Sequence, residues 1–436
     1  MHHLVVLIQA FDLFLWVVMA LSVLYVLFFA LASLLPSSLT QNSKLLTPNS
    51  SLPTPNSSLP TPNSSLPTPH FLVLFPAYRE DTVIRTSVET FLKQDYPRDH
   101  YQVTVISDHE TDETNAWLSQ QPITLLIPQF EKSSKARALQ YAVRHAQETL
   151  DHEHHAIDYV VILDADNIVA PDFLSQLQAE CRKGYRAIQC HRTAKNADSD
   201  IAALDGLSEE INNSIFRRGH NRVGLSSALI GSGMCFDYQW FCANVDSLDS
   251  AVEDREMEAL LMRQNIFIHY AEDILVKDEK VSSSDNFQRQ RLRWMTGQVQ
   301  ALFRMAPYLP KAILTGNLNY IDKTVQQALI PRSLLLVAVF FMSLLSTLSS
   351  IIFPSLYTSS QLLTPHFPFL TPNSLKWWLL LVLLAAGLLV AIPSRLRTRA
   401  LASKAMALPG LVLRMTGNLF HIDRKSTEFI HTTHDK

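Results

Sequence analysis

YVVILDADN (residues 159–167) is the stretch that decides the fold, because an uninterrupted apolar strand leads directly into two carboxylates. Short β-rich runs alternate with amphipathic stretches on both sides of it, from FLVLF at 71–75 to RAIQCH at 186–191. Strands that alternate with helices predict an α/β domain built on a mostly parallel sheet. Ligands of such sheets bind beyond the carboxyl ends of the strands, which is where the polar motifs of this chain begin.

Asp164 and Asp166 are the candidate metal ligands of this stretch. Alternate residues of a strand face the same side, so both carboxylates are expected to point into one site. Their oxygens suit Mg²⁺ or Mn²⁺, which usually completes its shell with water and substrate phosphates. The alternative is a turn-forming cap before the helix that we predict from Pro171. The other polar motifs favour the metal.

Two further polar motifs border the predicted site, FPAYRED at 75–81 and SDHETDET at 107–114. Asp108 follows a predicted strand and can hydrogen-bond a nucleoside, or it belongs to a solvated loop. Lys135 begins a predicted helix after two serines. The helix N-terminus and the ammonium can both face a diphosphate, although an ordinary surface lysine is the competing interpretation.

Two further motifs, VEDRE at 252–256 and QRLRW at 290–294, carry acid–base and binding chemistry. Glu253 and Asp254 begin a predicted helix, where acidic residues are favoured by the helix dipole alone. Two adjacent carboxylates also repel, which can raise one pKa enough to make a general base. In QRLRW, arginine suits phosphate oxygens and tryptophan suits a sugar face, while a helix on a membrane surface uses the same residues.

Composition excludes several classes of protein. The 436 residues are 47% hydrophobic and only 18% charged, which indicates a catalytic domain together with membrane segments. The formal charge of −3 argues against a nucleic-acid binder. Only 11 glycines occur, and neither GxGxxG nor a P-loop is present. We therefore expect any phosphate to be held by a metal and by cationic side chains.

Three apolar segments are long enough to span a bilayer, namely 4–35, 333–353 and 377–392. The basic run after the third one predicts that this end, and with it the central domain, is cytoplasmic, in an inner or plasma membrane. The stretches 295–314 and 401–420 fit either interfacial helices or ordinary surface helices. A TPNSSLP repeat between 47 and 69 fits an extended linker.

These patterns predict six regions along the chain. They are an anchor at 1–37, a linker at 38–70, a catalytic domain at 71–300, an interfacial region at 301–326, a transmembrane hairpin at 327–393 and a basic cytoplasmic tail at 394–436.

The ordered motifs resemble those of the membrane-embedded family 2 glycosyltransferases, the group that contains cellulose, hyaluronan and poly-N-acetylglucosamine synthases. The resemblance implies a GT-A fold, a nucleotide-diphosphate sugar donor, a divalent metal and inversion at the anomeric carbon. It makes Asp254 the catalytic base and assigns the metal to Asp164 and Asp166. It also implies two sets of binding residues. The donor-binding residues are Pro76, Ala77, Tyr78, Glu80, Asp108, Asp164 and Arg293, to which we add Lys135 from its place at the start of a helix, and the acceptor-binding residues are Gly231, Ser232, Gly233, Gln290 and Trp294.

The chain departs from the family pattern at two positions within these motifs. Val252 replaces the threonine of the family's TED motif, and Glu110 stands where a serine is common. We expect transfer of a sugar, with a lean towards a UDP-linked donor, to a hydroxyl of a lipid-linked or glycan acceptor at the bilayer. A processive polysaccharide synthase, working as an oligomer or with a partner, is the alternative, and an inactive membrane scaffold that binds nucleotide sugar is a third possibility. No nucleic-acid partner is expected.

Overall fold

The computed structural model describes residues 2–36, 67–150, 157–250, 252–281, 283–353 and 372–398. Most of the repeat at 47–69, the HEHH run at 152–155, the stretch 401–420 and most of the basic tail lie outside these residues. Everything said below about structure refers to the described part of the chain.

The first half of the catalytic domain alternates strands and helices as the sequence predicts. Its elements, in chain order, are β1 (Phe71–Tyr78), α2 (Ile84–Phe91), β2 (Tyr101–Asp108), α3 (Asp112–Leu118), β3 (Thr124–Leu126), α4 (Lys135–Leu150), β4 (Tyr159–Ile162), β5 (Ile168–Val169), α5 (Phe173–Cys181) and β6 (Ala187–Ala194), after the N-terminal helix α1 (His2–Ala32).

The second half adds a broken helix, two more strands and a set of helices that lead to the membrane. These elements are α6 (Asp200–Asn212), a π-helix (Asn213–Gly219), α7 (His220–Arg222), β7 (Met234–Asp237), α8 (Tyr238–Asn244), α9 (Glu253–Arg263), β8 (Ile268–Asp278), α10 (Ser284–Met305), α11 (Leu309–Leu314), α12 (Leu318–Ala328), α13 (Arg332–Ile352) and α14 (Pro372–Ala391). Short 3₁₀ turns link some of them.

The eight strands form one sheet in the order β3-β2-β1-β4-β7-β6-β8-β5. The pairs β1–β2, β1–β4, β2–β3 and β6–β8 are parallel, whereas β7 is antiparallel to both of its neighbours and β5 is antiparallel to β8. The sheet is therefore mixed, with parallel pairing in the half that contains β1 to β4. This confirms the predicted α/β architecture with flanking helices.

Burial on both faces of the sheet explains the apolar strands. In β1, Leu72 and Leu74 pack into the core on the α4 side, while Phe71, Val73 and Phe75 pack into the core on the α2 and α5 side. Successive residues of a strand point to opposite faces, so a strand covered on both faces must be apolar throughout. The polar residues that follow such a strand are then the first that can reach solvent or a ligand.

The strand that precedes Asp164 is shorter than predicted. β4 ends at Ile162, and Asp164 and Asp166 lie in the turn between β4 and β5. The prediction that they share a strand face is therefore wrong, because the carbonyl of Asp164 accepts a turn hydrogen bond of 3.0 Å from the Asn167 amide instead of continuing the ladder. Both side chains still lie beyond the carboxyl end of the strand.

Three helices are long and apolar enough to cross a membrane, over Val6–Ala32, Arg332–Ile352 and Asn373–Ala391. They belong to α1, α13 and α14, and α14 packs against both of the others. Their shared core also includes Ile211 and Ile215 from the catalytic domain. Residues 295–314, predicted as an interfacial or a surface helix, are divided between the end of α10, a short 3₁₀ turn and α11.

Candidate active site

The paired ends of β1 and β2 build one wall of the site. Tyr78 is opposite Asp108 in the parallel ladder, so both strands end at the same edge. Asp108 is almost fully buried, and its carboxylate lies 2.6 Å from Nδ1 of His109. The backbone of Arg79 is held at a φ of +57°. This uncommon conformation turns the chain sharply after Tyr78, so that the next residues border the site.

Glu110 joins the two strand ends. Its Oε1 accepts a hydrogen bond of 2.7 Å from the backbone amide of Glu80, while Oε2 is buried without a hydrogen-bond partner in the described structure. Burial raises the pKa of Glu110 to about 8, and the nearby Asp81 charge adds to the effect. This carboxyl group therefore carries its proton at neutral pH. This loop therefore has a neutral acid at the position where the family commonly has a serine.

Lys135, the first residue of α4, reaches into the centre of the site. Its ammonium donates to Oδ1 of Asp164 and to the carbonyl of Gly231 at 2.5 Å, and it lies 3.5 Å from Oε1 of Glu253. Burial alone would lower the pKa of this ammonium, but the surrounding carboxylates, Asp164 first, raise it above its ordinary value. The lysine is therefore an ion-paired member of the site and is charged at neutral pH.

The turn after β4 holds its two aspartates differently. Asp166 is buried, and it accepts 2.9 Å from the Asn167 amide side chain and 2.7 Å from the backbone amide of Glu279. Asp164 is more exposed, and its own backbone amide donates to Asn167 at 3.0 Å and to the Ser232 hydroxyl at 3.2 Å. These bonds fix the turn and leave the Asp164 carboxylate facing Lys135.

Gly231, Ser232 and Gly233 lie at different depths behind this turn. Gly231 adopts a φ of +81°, and a Cβ there would lie 3.8 Å from Oδ2 of Asp254. The Ser232 hydroxyl is fully buried and contacts Asn167, and the Gly233 amide donates 2.9 Å to the carbonyl of Ile162. Gly231 therefore borders Asp254, while the other two residues contact the aspartate turn and the strand before it.

Glu253 and Asp254 begin α9 and face the same centre. Burial raises the pKa of Glu253, the Lys135 ammonium opposes that rise, and the neighbouring Asp254 charge adds to it. Burial also lowers the pKa of the Arg293 guanidinium, which the carboxylates of Glu253, Asp164 and Asp254 partly restore. Two cations and several carboxylates therefore share one small volume, in which each protonation state depends on the others.

The QRLRW segment lies in the middle of α10. The guanidinium of Arg291 pairs with Asp205 of α6 and lies over the ring of Trp294, 4.5 Å from its centroid. Oε1 of Gln290 is buried without a hydrogen-bond partner in the part of the chain that is described. The indole is thus held by a cation on one face, and an amide oxygen remains available to a ligand donor.

A cavity of about 530 Å³ connects these groups. It extends beyond Asp164 and Asp254 to side chains of the three candidate membrane helices, including Val26 of α1, Leu336 of α13 and Leu388 of α14. Ser232 and Gly233 are not among its lining residues. The predicted site residues that do line it are Pro76, Ala77, Tyr78, Glu80, Asp108, Lys135, Asp164, Asp166, Gly231, Asp254, Gln290, Arg293 and Trp294.

A buried ionic network beside Asp164 has no clear signal in the sequence. Arg192 of β6 donates to Glu209 at 3.1 Å and lies 3.4 Å from Asp278, and Arg217 lies 3.3 Å from Glu209. Although burial alone would raise it, these cations, Arg192 first, lower the pKa of Glu209 to about 2. Arg192, Arg217 and Glu209 line the cavity between the carboxylates and the membrane helices. No motif marks them, because they come from separate elements.

The carboxylates of Asp164 and Asp166 fit a hard divalent cation whose other ligands come from water and substrate. Asp164 and Asp166 present carboxylate oxygens to one cavity. Among the described residues, no group of three or more His, Cys, Asp or Glu side chains is arranged to hold an ion. Mg²⁺ and similar ions commonly bind through one or two carboxylates together with substrate phosphates and water. The residues therefore fit a metal that arrives with a phosphorylated substrate.

Known structures share parts of this architecture at low identity. Mannosyltransferase PcManGT from Pyrobaculum calidifontis, solved with GDP-Man and Mn²⁺, is 18% identical with a TM-score of 0.46, over 93% of this chain and 99% of that one. TarS 1–349 of S. aureus, solved with UDP-GlcNAc, is 15% identical with a TM-score of 0.36, over 80% of this chain and 89% of that one.

A third structure covers less of the chain. Glucosyl-3-phosphoglycerate synthase from Mycobacterium tuberculosis, solved with Mn²⁺, UDP and phosphoglyceric acid, is 16% identical with a TM-score of 0.33, over 49% of this chain and 72% of that one. No curated protein matches the sequence.

The family comparison covers more than half of the chain. The model described as "Glycosyltransferase like family 2" matches residues 68–297, the segment that carries every polar motif of the cavity. The chain therefore belongs to glycosyltransferase family 2, and it is a glycosyltransferase with three helices able to span a membrane.

Proposed function

We propose that the chain transfers a sugar, with inversion, from a nucleotide-diphosphate sugar to a hydroxyl of a lipid-linked acceptor. One observation carries this proposal: the cavity that contains Asp164 and Asp254 continues to Val26, Leu336 and Leu388 of the membrane helices. An acceptor with a hydrocarbon chain can therefore lie among apolar side chains while its polar end reaches the carboxylates. A water-soluble glycan would have no use for the apolar end of the cavity.

Donor binding is proposed for the edge formed by β1, β2 and α4. Tyr78 and Asp108 would contact the nucleoside, with a lean towards uridine, and Lys135 and Arg293 would contact the diphosphate. A guanidinium and an ammonium are the side chains that pair best with phosphate oxygens. A divalent ion held by Asp164 and Asp166 would supply further neutralisation of the leaving diphosphate.

The chemical step is proposed as one direct displacement. Asp254 accepts the proton of the acceptor hydroxyl as that oxygen forms its bond to the anomeric carbon. The bond from this carbon to the diphosphate oxygen breaks, and the diphosphate leaves with the electron pair. Arg293 stabilises the charge that develops on the leaving group, and Trp294 orients the acceptor, so part of the barrier is removed by positioning.

The test is release of nucleoside diphosphate by the purified protein in lipid nanodiscs. A panel of nucleotide sugars is offered with Mn²⁺, Mg²⁺ or chelator, and with lipid extract or soluble oligosaccharides. We expect release from one donor, dependent on metal and stimulated by the lipid extract. Asp254→Asn should reduce turnover about 10²- to 10⁴-fold, because the general base is lost.

Asp246→Asn is the matched control, since Asp246 is an exposed carboxylate that pairs with Arg144 on the surface. Normal turnover of Asp254→Asn would exclude the assignment of the base. Stimulation by oligosaccharides alone would exclude the lipid-linked acceptor, and long products would indicate a processive synthase. Absence of release with every donor and acceptor would favour a binding scaffold.

We further propose that the catalytic domain faces the cytoplasm. Arg395, just after the third span, donates 2.6 Å to Glu210 of the catalytic domain, so this basic end lies on the catalytic side. Basic residues that flank spans favour the cytoplasmic side. Labelling of a cysteine introduced at exposed Arg144 in sealed inverted vesicles, and its protection in right-side-out vesicles, would agree with this orientation. The reverse result would exclude it.

A further inference from the structure

Lys135 lies where the proposed function requires two different partners. Its ammonium contacts Asp164 and the Gly231 carbonyl, and Glu253 lies 3.5 Å away. Asp164 is also one of the two proposed metal ligands. An ammonium that contacts a carboxylate neutralises much of the charge that would attract a second cation. The same lysine is one of the two cations that we propose to contact the donor diphosphate.

The position of the Lys135 ammonium is set largely by the carboxylates around it. Lys135 is the first residue of α4, so its backbone is anchored while its long side chain extends to the aspartate turn. Lysine carries a point charge on four rotatable methylene groups, and its three hydrogens can be passed between acceptors without backbone movement. Phosphate oxygens are acceptors of the same kind, so the ammonium can exchange carboxylate for phosphate and remain paired.

We propose that Lys135 is an internal counter-ion that competes with the divalent cation for Asp164 and moves to the diphosphate when the donor binds. This rests on the proposed function and deepens it. The competition makes the site a weak binder of metal alone. Transfer of the ammonium to the diphosphate releases Asp164, so metal and donor are bound together. The carboxylates of Asp164 and Glu253 thus stay neutralised in the resting enzyme.

The test measures metal affinity directly and does not depend on turnover. Free Mn²⁺ is followed by electron paramagnetic resonance during titration of the full-length protein in nanodiscs, with and without nucleoside diphosphate. Lys135→Met should bind Mn²⁺ alone about tenfold more tightly than the wild type, the factor that about 1.4 kcal/mol of removed repulsion gives. The enhancement of Mn²⁺ affinity by the nucleotide should shrink in the same variant.

Three further variants make the result specific. Arg137→Met removes an exposed cation from the same helix and should leave Mn²⁺ affinity unchanged. Lys135→Arg keeps the charge and should behave like the wild type. Asp164→Asn, added to Lys135→Met, should abolish the tight Mn²⁺ binding of the single variant. If Lys135→Met is poorly folded by its thermal melt, Lys135→Gln provides the same test, because the amide can still donate to the Gly231 carbonyl.

The outcomes separate this inference from the proposed function. Equal or weaker Mn²⁺ binding by folded Lys135→Met and Lys135→Gln would overturn the competition while metal-dependent transfer stands. Absence of Mn²⁺ binding by every protein, with and without nucleotide, would overturn both. Tighter binding that survives Asp164→Asn would place the ion elsewhere and would also overturn the inference.

Discussion

Glu110 shows at the scale of single residues how this site departs from the family pattern. Its carboxyl group is buried between the ends of β1 and β2, with one oxygen bonded to the Glu80 amide. A serine at this position would carry no charge near neutral pH. The glutamic acid must stay protonated to avoid burying a charge, and it therefore makes the stability of the donor edge depend on pH.

The first prediction follows from the sign of that shift. Burial raises the pKa of Glu110 from 4.5 to about 8. The contribution of the neutral acid to stability is therefore complete below 4.5 and is lost as the pH rises through about 8. Glu110→Gln should melt at a temperature that falls less between these pH values than that of the wild type, as measured by differential scanning fluorimetry in detergent.

Glu113→Gln is the control for this prediction. Glu113 lies on the next helix with its side chain 84% exposed and pairs with Arg85, so its removal should leave the pH dependence as it is. Parallel melting curves of Glu110→Gln and the wild type across the range would show that Glu110 does not hold a proton in the folded state.

Much of the site was predictable at the residue scale, because motif residues report chemistry directly. Asp164, Asp254 and Trp294 all line one cavity as their motifs suggested. The depth of Ser232 and the position of Arg192 were not predictable, since neither follows from local spacing. Arg192 enters the site only because β6 lies two strands away from β4 in the sheet. Such relations depend on tertiary pairing, which no single motif contains.

At the scale of elements, helices α9 and α10 approach each other at Val252, the residue that replaces the threonine of the TED motif. A Cβ on Gly297 of α10 would lie 2.4 Å from Cγ1 of Val252, the residue before α9. The valine therefore fills the space that this glycine leaves. Because Val252 immediately precedes Glu253 and Asp254, this contact sets the distance between the proposed base and the QRLRW helix.

The second prediction concerns this contact. Gly297→Ala should separate α10 from the start of α9, because the added methyl group would lie 2.4 Å from Cγ1 of the Val252 side chain. We expect turnover to fall at least tenfold, with a lower melting temperature, in the nucleotide-release assay. Adding Val252→Ala removes both γ-methyl groups and should recover most of the loss.

Ala301→Ser serves as a size control on the same helix. Failure of the double variant to recover activity would mean that the cost of Gly297→Ala arises from a different neighbour. Unchanged activity of Gly297→Ala itself would show that the spacing of α9 and α10 does not matter for transfer.

At the element scale the first half of the domain was easier to predict than the second. The helix predicted to begin at Lys135 does begin there, and β1 begins at Phe71, where the FLVLF run begins. The two strands β7 and β8 were not predicted. MCFD at 234–237 is too short to show a period, and its antiparallel insertion between β4 and β6 depends on residues far apart in sequence. Local pattern gives a strand but not its neighbours.

At the scale of the whole molecule, polar and close contacts connect helix α1 to the rest of the structure. The hydroxyl of Tyr25 in α1 donates 2.8 Å to Asp322 of α12 and lies 2.8 Å from Nε2 of His220. The His220 ring stacks on Phe29 with centroids 3.6 Å apart. A Cβ on Gly219 would lie 2.2 Å from the Phe29 carbonyl oxygen, so α1 approaches the π-helix as closely as a glycine allows.

The third prediction tests this attachment. Tyr25→Phe removes the hydroxyl that donates to Asp322 and leaves a buried carboxylate with one partner fewer. Loss of one partner of a buried polar group costs about 1–3 kcal/mol. The melting temperature in nanodiscs should fall by several degrees, whereas Tyr141→Phe, whose side chain is exposed on α4, should melt like the wild type. Equal melting of both variants would contradict the role of the hydroxyl.

Hydropathy located the spans well, because a bilayer requires a minimum apolar length. Their packing could not be predicted, since it depends on partners such as Asp12, which pairs with Lys376 from the other end of the chain. The interfacial interpretation of 295–314 illustrates the same limit. These residues mix apolar side chains with the basic Arg304 and Lys311, yet Met305 and Ala312 pack into the core of the catalytic domain.

Asp254 and side chains of all three spans line one cavity, so movement of the spans in the bilayer would change the shape of the site. A span whose apolar length exceeds the local bilayer thickness can tilt to match it. Tilt of α1 or α14 moves Val26 or Leu388, and so widens or narrows the chamber in which the acceptor must align. We therefore expect the acyl-chain length of the surrounding lipid to change the rate of transfer, as an effector does in an allosteric protein.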